Sequence, residues 1–487
     1  MEQTKLVGLL KHLNNKEWSR FEDYVQSPFY NKHKEVRQLC SYLYKYIPDD
    51  KKKHKLEQQR VWKYLFPDQE LDAKRLHLLS SKLLNLLHDY LAIIAHEDNK
   101  TTHLIKVLGE LRSKKQYKDY AAVLRKVDKT LEEAPEHIEN KYWQKYLYHQ
   151  ELDIHFLTQG GRTYDSNLQE KSDSLDLFFM VKKLKTACDM VSRNKVIGSD
   201  YAYHFVPELF DYIAQPNNPY AKEPSIQVYI ALLKMLLYWE QENYYPVVKE
   251  LLTKYSAIFS AAELRDIYDF SLNYCIWKQN EDTSSRYYLQ EMLEIYRLVV
   301  EQKIIFIDGF LPPWEYKTIV TTGISLGESE WVEQFIEAYK IHLPTAVRES
   351  AYSYNLAFFL YAEQDYKGAL QALYQVTFTN WTYYMGAKMI QLRSYYELNE
   401  GEALYALIDT FKVYIRRNRQ LVAIHRALYL NFIRVIKKAY QVKEKSDYLT
   451  AGQYKKEYAK LKQKQEQFTP VAASNWLKQV IEELAPD

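Results

Sequence analysis

The chain has 487 residues, 47% of them apolar, with only 12 Gly and 14 Pro. That is material for a sizeable core with too few turn formers for a compact all-β or α/β fold, so long helices joined by short polar turns are expected. Net charge is +3, but 15 Lys or Arg against three acids fall between Lys412 and Lys464, which concentrates +12 there and leaves the rest acidic.

Three cysteines, Cys40, Cys188 and Cys275, are far apart and none lies in a C-x-x-C. This excludes a disulfide framework and predicts buried thiols in a reducing compartment. No stretch approaches 18 apolar residues, so no membrane span is expected, and Leu6 to Leu10 is too short for a signal segment. A soluble, cytoplasmic protein is expected. The 45 tyrosines are the unusual part of the composition. A tyrosine ring packs on a neighbouring helix while its hydroxyl reaches the wet edge, which suits thin helical layers.

Residues 1–97 read as an N-terminal helical module. Ser27-Pro28 with Asn31, and later Phe66-Pro67-Asp68, punctuate it. Leu76, Leu79, Leu83, Leu87, Tyr90 and Ile94 then recur at steps of three and four, opposite Lys82, Asn85 and Asp89, and predict an amphipathic helix. The run Lys51-Lys52-Lys53-His54-Lys55 after Pro48-Asp49-Asp50 reads as a solvated loop. The pieces Phe21 to Lys32 and Val61 to Pro67 are similar to the N-terminal part of uncharacterised helical proteins of Bacteroidota, a resemblance that implies no activity.

Residues 98–315 continue as irregular helical hairpins. Gln116-Tyr117-Lys118-Asp119-Tyr120-Ala121 and Glu242-Asn243-Tyr244-Tyr245-Pro246-Val247 read as tight turns between antiparallel helices. Gln159 to Arg162, Gln215 to Pro219 and Asp308 to Pro313 are poor in helical pattern and are expected to be connections.

Residues 316–410 hold a repeat. At a 34-residue step Gly323 and Ala357 match, followed by Phe335, Ala369 and Ala403, then Ile336, Leu370 and Leu404, then Tyr339, Leu373 and Leu407. Small residues at two points let the paired helices cross closely. The period and these small positions resemble the tetratricopeptide repeat, with Gln391 and Phe335 at small positions and Trp381 where that family often has Pro. The resemblance implies an all-α solenoid of antiparallel helix hairpins, and a groove faced by Tyr354, Tyr361, Lys388 and Tyr395. It implies a protein or peptide partner rather than a reaction. Between 20 and 28 helices are expected over the chain, at about 17 residues each.

Residues 411–487 form a basic helical cap. Arg416, Arg417 and Arg419 cluster; Arg426, Arg434, Lys437 and Lys438 follow on a helix with the apolar stripe Leu421, Ile424, Leu428, Phe432 and Val435; then come Lys455 and Lys456, with Lys460, Lys462 and Lys464 after them and Tyr454 and Tyr458 interleaved. Such a row neutralises phosphates of nucleic acid, docks an acidic protein, lies on anionic lipid, or is a solvated face.

Catalytic chemistry has one string in its favour. Gly323-Ile324-Ser325-Leu326-Gly327 fits the G-x-S-x-G nucleophile elbow after the β-branched run Thr318 to Thr322, with Asp365 or Asp409 and His425 as nominal partners for a serine esterase. The elbow needs a strand before it, whereas Gly323 and Leu326 are in phase with the helical repeat. Ten of the 13 histidines precede residue 156, but His88 with His96 and His149 with His155 do not share a helix face with a carboxylate. There is no P-loop and no G-x-G-x-x-G, so no cofactor and no metal are expected.

Overall fold

The computed structural model describes residues 1, 3–47, 50–97, 99–133, 138–282, 285–374 and 381–486. Among them the chain is all-α: 23 α-helices and four short 3-10 turns, with the bridge Ile307–Phe310 as the one β-type pairing. Two compact units are present, Met1–Lys182 and Lys183–Asp487.

The first unit carries α1 (Lys5–Leu10), α2 (Asn15–Gln26), α3 (Lys34–Tyr46), α4 (Gln58–Leu65), α5 (Ala73–Glu97), α6 (Lys100–Ser113), α7 (Tyr117–Glu133), α8 (Ile138–Thr158) and the first half of α9 (Ser166–Ile197). Helix α2 starts on a capping box: Asn14 accepts from the Glu17 amide while Glu17 accepts from the Asn14 amide at 2.8 Å. The stripe Leu76, Leu79, Leu83, Leu87 and Tyr90 of α5 is buried with Trp18, Phe21, Leu39 and Trp62, and the Tyr90 hydroxyl donates to the Glu17 carbonyl at 2.9 Å. Asn31 is buried in the α2–α3 connection, where it donates to the Val25 carbonyl. Over Ala73–Ala95 the α5 helix reaches a mean hydropathy of 1.2 and is long and apolar enough, by length and composition only, to cross a membrane, but its Leu76–Tyr90 stripe packs in the core of this unit. The lysine run is not a simple loop: Asp50–Leu56 forms a 3-10 turn, while Pro48 and Asp49 lie outside the described residues.

The second unit holds α10 (Val206–Ile213), α11 (Pro224–Leu237), α12 (Tyr244–Tyr255), α13 (Ala261–Glu281), α14 (Tyr287–Glu301), α15 (Pro313–Leu326), α16 (Ser329–Tyr339), α17 (Arg348–Ala362), α18 (Tyr366–Tyr374), α19 (Trp381–Glu397), α20 (Gly401–Arg417), α21 (Ala423–Lys445), α22 (Ala451–Gln467) and α23 (Ser474–Glu483). Neighbours in sequence pack as hairpins, and the leading helices of successive hairpins also touch, α11 on α13, α15 on α17 and α17 on α19. This sequential packing is consistent with a helical repeat. Two tyrosine hydroxyls tie the layers: Tyr316 donates to the Ile336 carbonyl at 2.7 Å, and Tyr383 donates to the Pro313 carbonyl at 3.0 Å.

Three hairpins of the second unit close by one recurring device. Gly327, Gln364 and Asn399 have positive φ, and the acidic residue after each, Glu328, Asp365 and Glu400, donates its amide to the carbonyl five residues back, Gly323, Leu360 and Tyr395, at 2.9–3.0 Å. This satisfies carbonyls that the ending helix leaves open. The first unit repeats it at Lys115 and Gln116, whose amide reaches the Leu111 carbonyl. Counted on this turn, successive hairpins are 37 and 35 residues apart (Gly327, Gln364, Asn399), not 34. The longer of the two steps contains the 3-10 turn Lys340–His342 that follows α16 and an irregular stretch before α17. The 34-residue step therefore pairs Gly323 with Ala357, where the turn pairs it with Leu360. A slip of three residues is close to one helical turn, so the apolar phase survives it.

Gly323 is where α15 and α16 meet. A Cβ there would stand 2.4 Å from Val332 Cγ2, and a β-branched neighbour has little freedom to turn away. Ala357 and Ala369 are fully buried in the next hairpin. Gly323→Val is expected to lower unfolding free energy by about 1–3 kcal/mol through overpacking, whereas Gly8→Ala in α1, with nothing within 4 Å of the new methyl, gains about 0.5–1 kcal/mol of helix propensity. Urea denaturation of both variants checks the contrast.

Candidate binding face

The leading helices α13, α15, α17 and α19 carry the polar and aromatic side chains that the hairpin cores leave over. On α17, Tyr354 is buried: its ring packs edge-on to Tyr383 at 5.3 Å and fills the space beside Gly386, where a Cβ would come within 2.4 Å of it. Lys317 of α15 places its Nζ 5.1 Å from the same ring. Two turns further along α17, Tyr361 receives the Arg393 guanidinium of α19 at 4.4 Å from its centroid. Lys388, also on α19, lies 5.3 Å from the Tyr384 ring and donates to Gln391 Oε1 at 2.8 Å. Lys317, Lys388 and Arg393 are half-buried, and loss of water pushes the pKa of each down.

Of the four residues the repeat assigns to a groove, Tyr354 and Tyr361 lie two turns apart on α17, with Arg393 over Tyr361, whereas Lys388 lies over Tyr384 of α19, a ring that packs on Tyr414 of α20. Tyr395 stands apart, half-buried near the turn, where its main-chain carbonyl accepts from Glu400. Lys317 and Arg393 escaped the sequence reading because each is a lone cation among apolar and aromatic neighbours. Aligning hairpins on the closing turn, rather than on small residues, would have placed both on leading helices.

A second cluster on this row is acidic. Asp269 of α13 is open to water, yet its carboxyl is pushed up to about 7, first by desolvation, then by Glu315 and Asp266, against Arg265. Glu315 is raised as well, chiefly by burial, and accepts from Trp314 Nε1 at 3.1 Å. Because the folded pKa of Asp269 lies above its unfolded value, the folded chain holds this proton more tightly. Stability therefore falls as pH rises from about 4 to about 7 and levels beyond. Asp269→Asn is expected to flatten that slope and to melt higher than the parent at pH 8; thermal melts across the pH range test it.

The basic C-terminal region is divided by the structure. Helices α20 and α22 both pack on α21. Arg426 is consumed locally, donating to the Asn418 and Leu421 carbonyls. Arg434 donates to Asn431 and lies over Phe468 at 4.9 Å. Lys437 lies 5.6 Å from the Tyr405 ring. Lys438 pairs with Glu457, which also binds Lys460 and is pulled down to about 2 by both. Arg416, Arg417 and Arg419, and Lys455 and Lys456, are exposed and have no ion pair among the described residues. The α21 stripe holds at Leu421, Phe432 and Val435, which are buried, but Ile424 is 61% exposed because it faces outward in the first turn of the helix. Replacing Arg416, Arg417 and Arg419 together by Gln is expected to shift the melting temperature little, whereas Glu457→Gln, which strands the half-buried Lys438, costs about 1–3 kcal/mol. Differential scanning calorimetry separates the two.

The nucleophile-elbow string has a different structure from the one that chemistry needs. Thr318 to Thr322 is helical, within α15, so no strand leads into Ser325. The Ser325 hydroxyl donates to the Thr321 carbonyl at 2.9 Å in its own helix, and Asp365 accepts from the Gly368 amide in the α17–α18 turn. His425 is exposed beside Trp381. The three cysteines are free and buried, and burial raises the thiol pKa of each, to about 12 at Cys275. His155 stacks on Tyr120 at 4.2 Å and His149 Nδ1 lies 3.1 Å from Asn167. Among the described residues no three His, Cys, Asp or Glu side chains are grouped as a metal site.

No protein-family model matches the chain, and neither a curated protein nor a solved structure matches it significantly.

Proposed function

We propose that the chain is a non-enzymatic scaffold or adaptor, a tetratricopeptide-like α-solenoid that takes a protein or peptide partner on the row of its leading helices. The packing of α11 on α13, α15 on α17 and α17 on α19 supports the solenoid reading, because stacked hairpins generate a surface lined by one helix of each pair. The observation that carries the binding role is what those helices display. The α15, α17 and α19 helices carry Lys317, Lys388 and Arg393 over tyrosine rings, with Tyr361 half-buried and Tyr354 buried beneath. Tyr and Arg are the side chains enriched where proteins bind one another, since they offer large contact area and hydrogen bonds with little freedom to lose.

The test is site-specific photocrosslinking in the native cell. A benzophenone amino acid at Tyr361 or Tyr395 is expected to yield a discrete crosslinked species, while the same probe at Tyr374, 84% exposed on the trailing helix α18, yields none. Absence of product at both leading-helix positions, or the same products from Tyr374, would falsify the assignment.

A further inference from the structure

Independently of what the leading helices bind, we propose that the second unit docks on an anionic lipid surface through the edge of the stack where one hairpin passes to the next. Antiparallel hairpins give the stack two edges. The closing turns lie on one, and the connections α14–α15, α16–α17, α18–α19 and α20–α21 lie on the other. Contacts tie those connections together: the Leu311 amide donates to the His342 carbonyl at 2.9 Å, Tyr383 at the start of α19 reaches Pro313 at the start of α15, and Trp381 lies 6.3 Å from His425.

The two edges expose different chemistry. Ile307, Phe310 and Trp314 belong to the α14–α15 connection and the first turn of α15, Ile341 follows α16, Tyr374 ends α18, and Val413, Val422 and Ile424 flank the α20–α21 connection. All are exposed, Trp314 by 63% and Ile341 by 67%. From Ile307 to Ile424 no other large apolar side chain is exposed among the described residues, so the closing turns at Gly327, Gln364 and Asn399 show none. Those turns carry exposed acids instead: Glu328 and Glu330, Glu363 and Asp365, Glu400 and Glu402. The connection edge is mixed in charge at its α14–α17 end, with Glu301, Asp308 and Glu349 against Lys303, Lys340 and Arg348. It turns cationic at the α20–α21 connection. No acid falls between Asp409 and Glu444, and Arg416, Arg417 and Arg419 are exposed there without an ion pair among the described residues, in the same connection as Val422 and Ile424.

That combination selects the occupant. Exposed aliphatic and aromatic side chains beside arginines gain at once from burial at the acyl boundary and from lipid phosphates. They recur connection by connection, as a line rather than the single close-packed patch of a protein interface, and fluid lipid needs no matching shape. A nucleic-acid strand uses the arginines, but Val422 and Ile424 offer its bases no ring to stack on. With this edge on a negatively charged membrane the acidic closing turns point away from it, so the same field that attracts the unit also orients it.

Flotation of the full chain with vesicles of phosphatidylcholine and phosphatidylserine in equal parts, compared with vesicles of phosphatidylcholine alone, tests this. Binding to the anionic vesicles is expected, weakening as salt rises. Replacing Arg416, Arg417 and Arg419 together by Gln is expected to weaken it by about tenfold or more, and Val422→Ser with Ile424→Ser by about tenfold at low and at high salt. Lys445→Gln with Tyr448→Ser removes the same kinds of side chain from the opposite edge and is expected to bind as the parent does. The replaced side chains are exposed in every variant, so the fold is retained, which circular dichroism verifies. The proposal is overturned if the anionic vesicles do not bind the chain or bind it no better than neutral ones, if binding is indifferent to both edge variants, or if the opposite-edge variant weakens it as much. Binding of an oligo-dT strand or of a deca-glutamate peptide that the arginine variant loses, without binding to vesicles, also overturns it, in favour of nucleic acid or of an acidic protein respectively.

Discussion

Helix against next helix is the contact on which the second unit depends. A hairpin of two amphipathic helices buries only the seam between them, and its second apolar side stays wet until a neighbouring hairpin covers it. The buried residues of α15 to α20 are shared in this way: Gly323 admits Val332 inside one hairpin, while the Tyr383 hydroxyl crosses to Pro313 between two. Close approach sets the terms, and small residues at Gly323, Ala357, Ala369 and Gly386 mark where backbones or rings come nearest. Tyrosine serves this arrangement because one side chain supplies both core area and a hydroxyl that reaches main chain at the layer's edge.

The same constraint leaves polar side chains either paired between packed helices, as Lys278 and Glu291 are, or on the faces that no hairpin covers. Along the leading helices these faces alternate in sign, acidic at Asp269 and Glu315 and cationic at Lys317, Lys388 and Arg393. The basic C-terminal region, more conspicuous by charge count, spends part of its charge internally. Arg426 fastens the α20–α21 connection, and Lys438 joins α21 to α22 through Glu457. Charge density along a chain and charge available to a partner are different quantities, because helix packing turns some cations into braces.

Much of the architecture was legible beforehand, and the reasons are local. The α5 stripe from Leu76 to Tyr90 is buried as its spacing required, and the three stretches poor in pattern are interhelical connections carrying Gly160, Asn217, and Asp308 with Gly309 at positive φ. The hairpin step was misjudged because helical phase is insensitive to a slip of one turn, so Gly323 aligned with Ala357 although the closing turn equates it with Leu360. The Ser325 string failed because a β-branched run reads as strand in isolation while its neighbours fix it as helix. Lys317 and Arg393 were invisible for the opposite reason: their significance lies in rings contributed by α17, and contacts across helices leave no mark on linear spacing.

The turn that ends each hairpin has a consequence for how the chain acquires its structure. Four of these turns are completed by a bond reaching back only five residues, so each of those helix pairs carries the instruction for its own reversal. Loop-closure entropy is small at every step, and contacts of short sequence separation form fast. A nascent polypeptide built this way hardens from its amino end as it emerges, adding one layer at a time onto a template already in place.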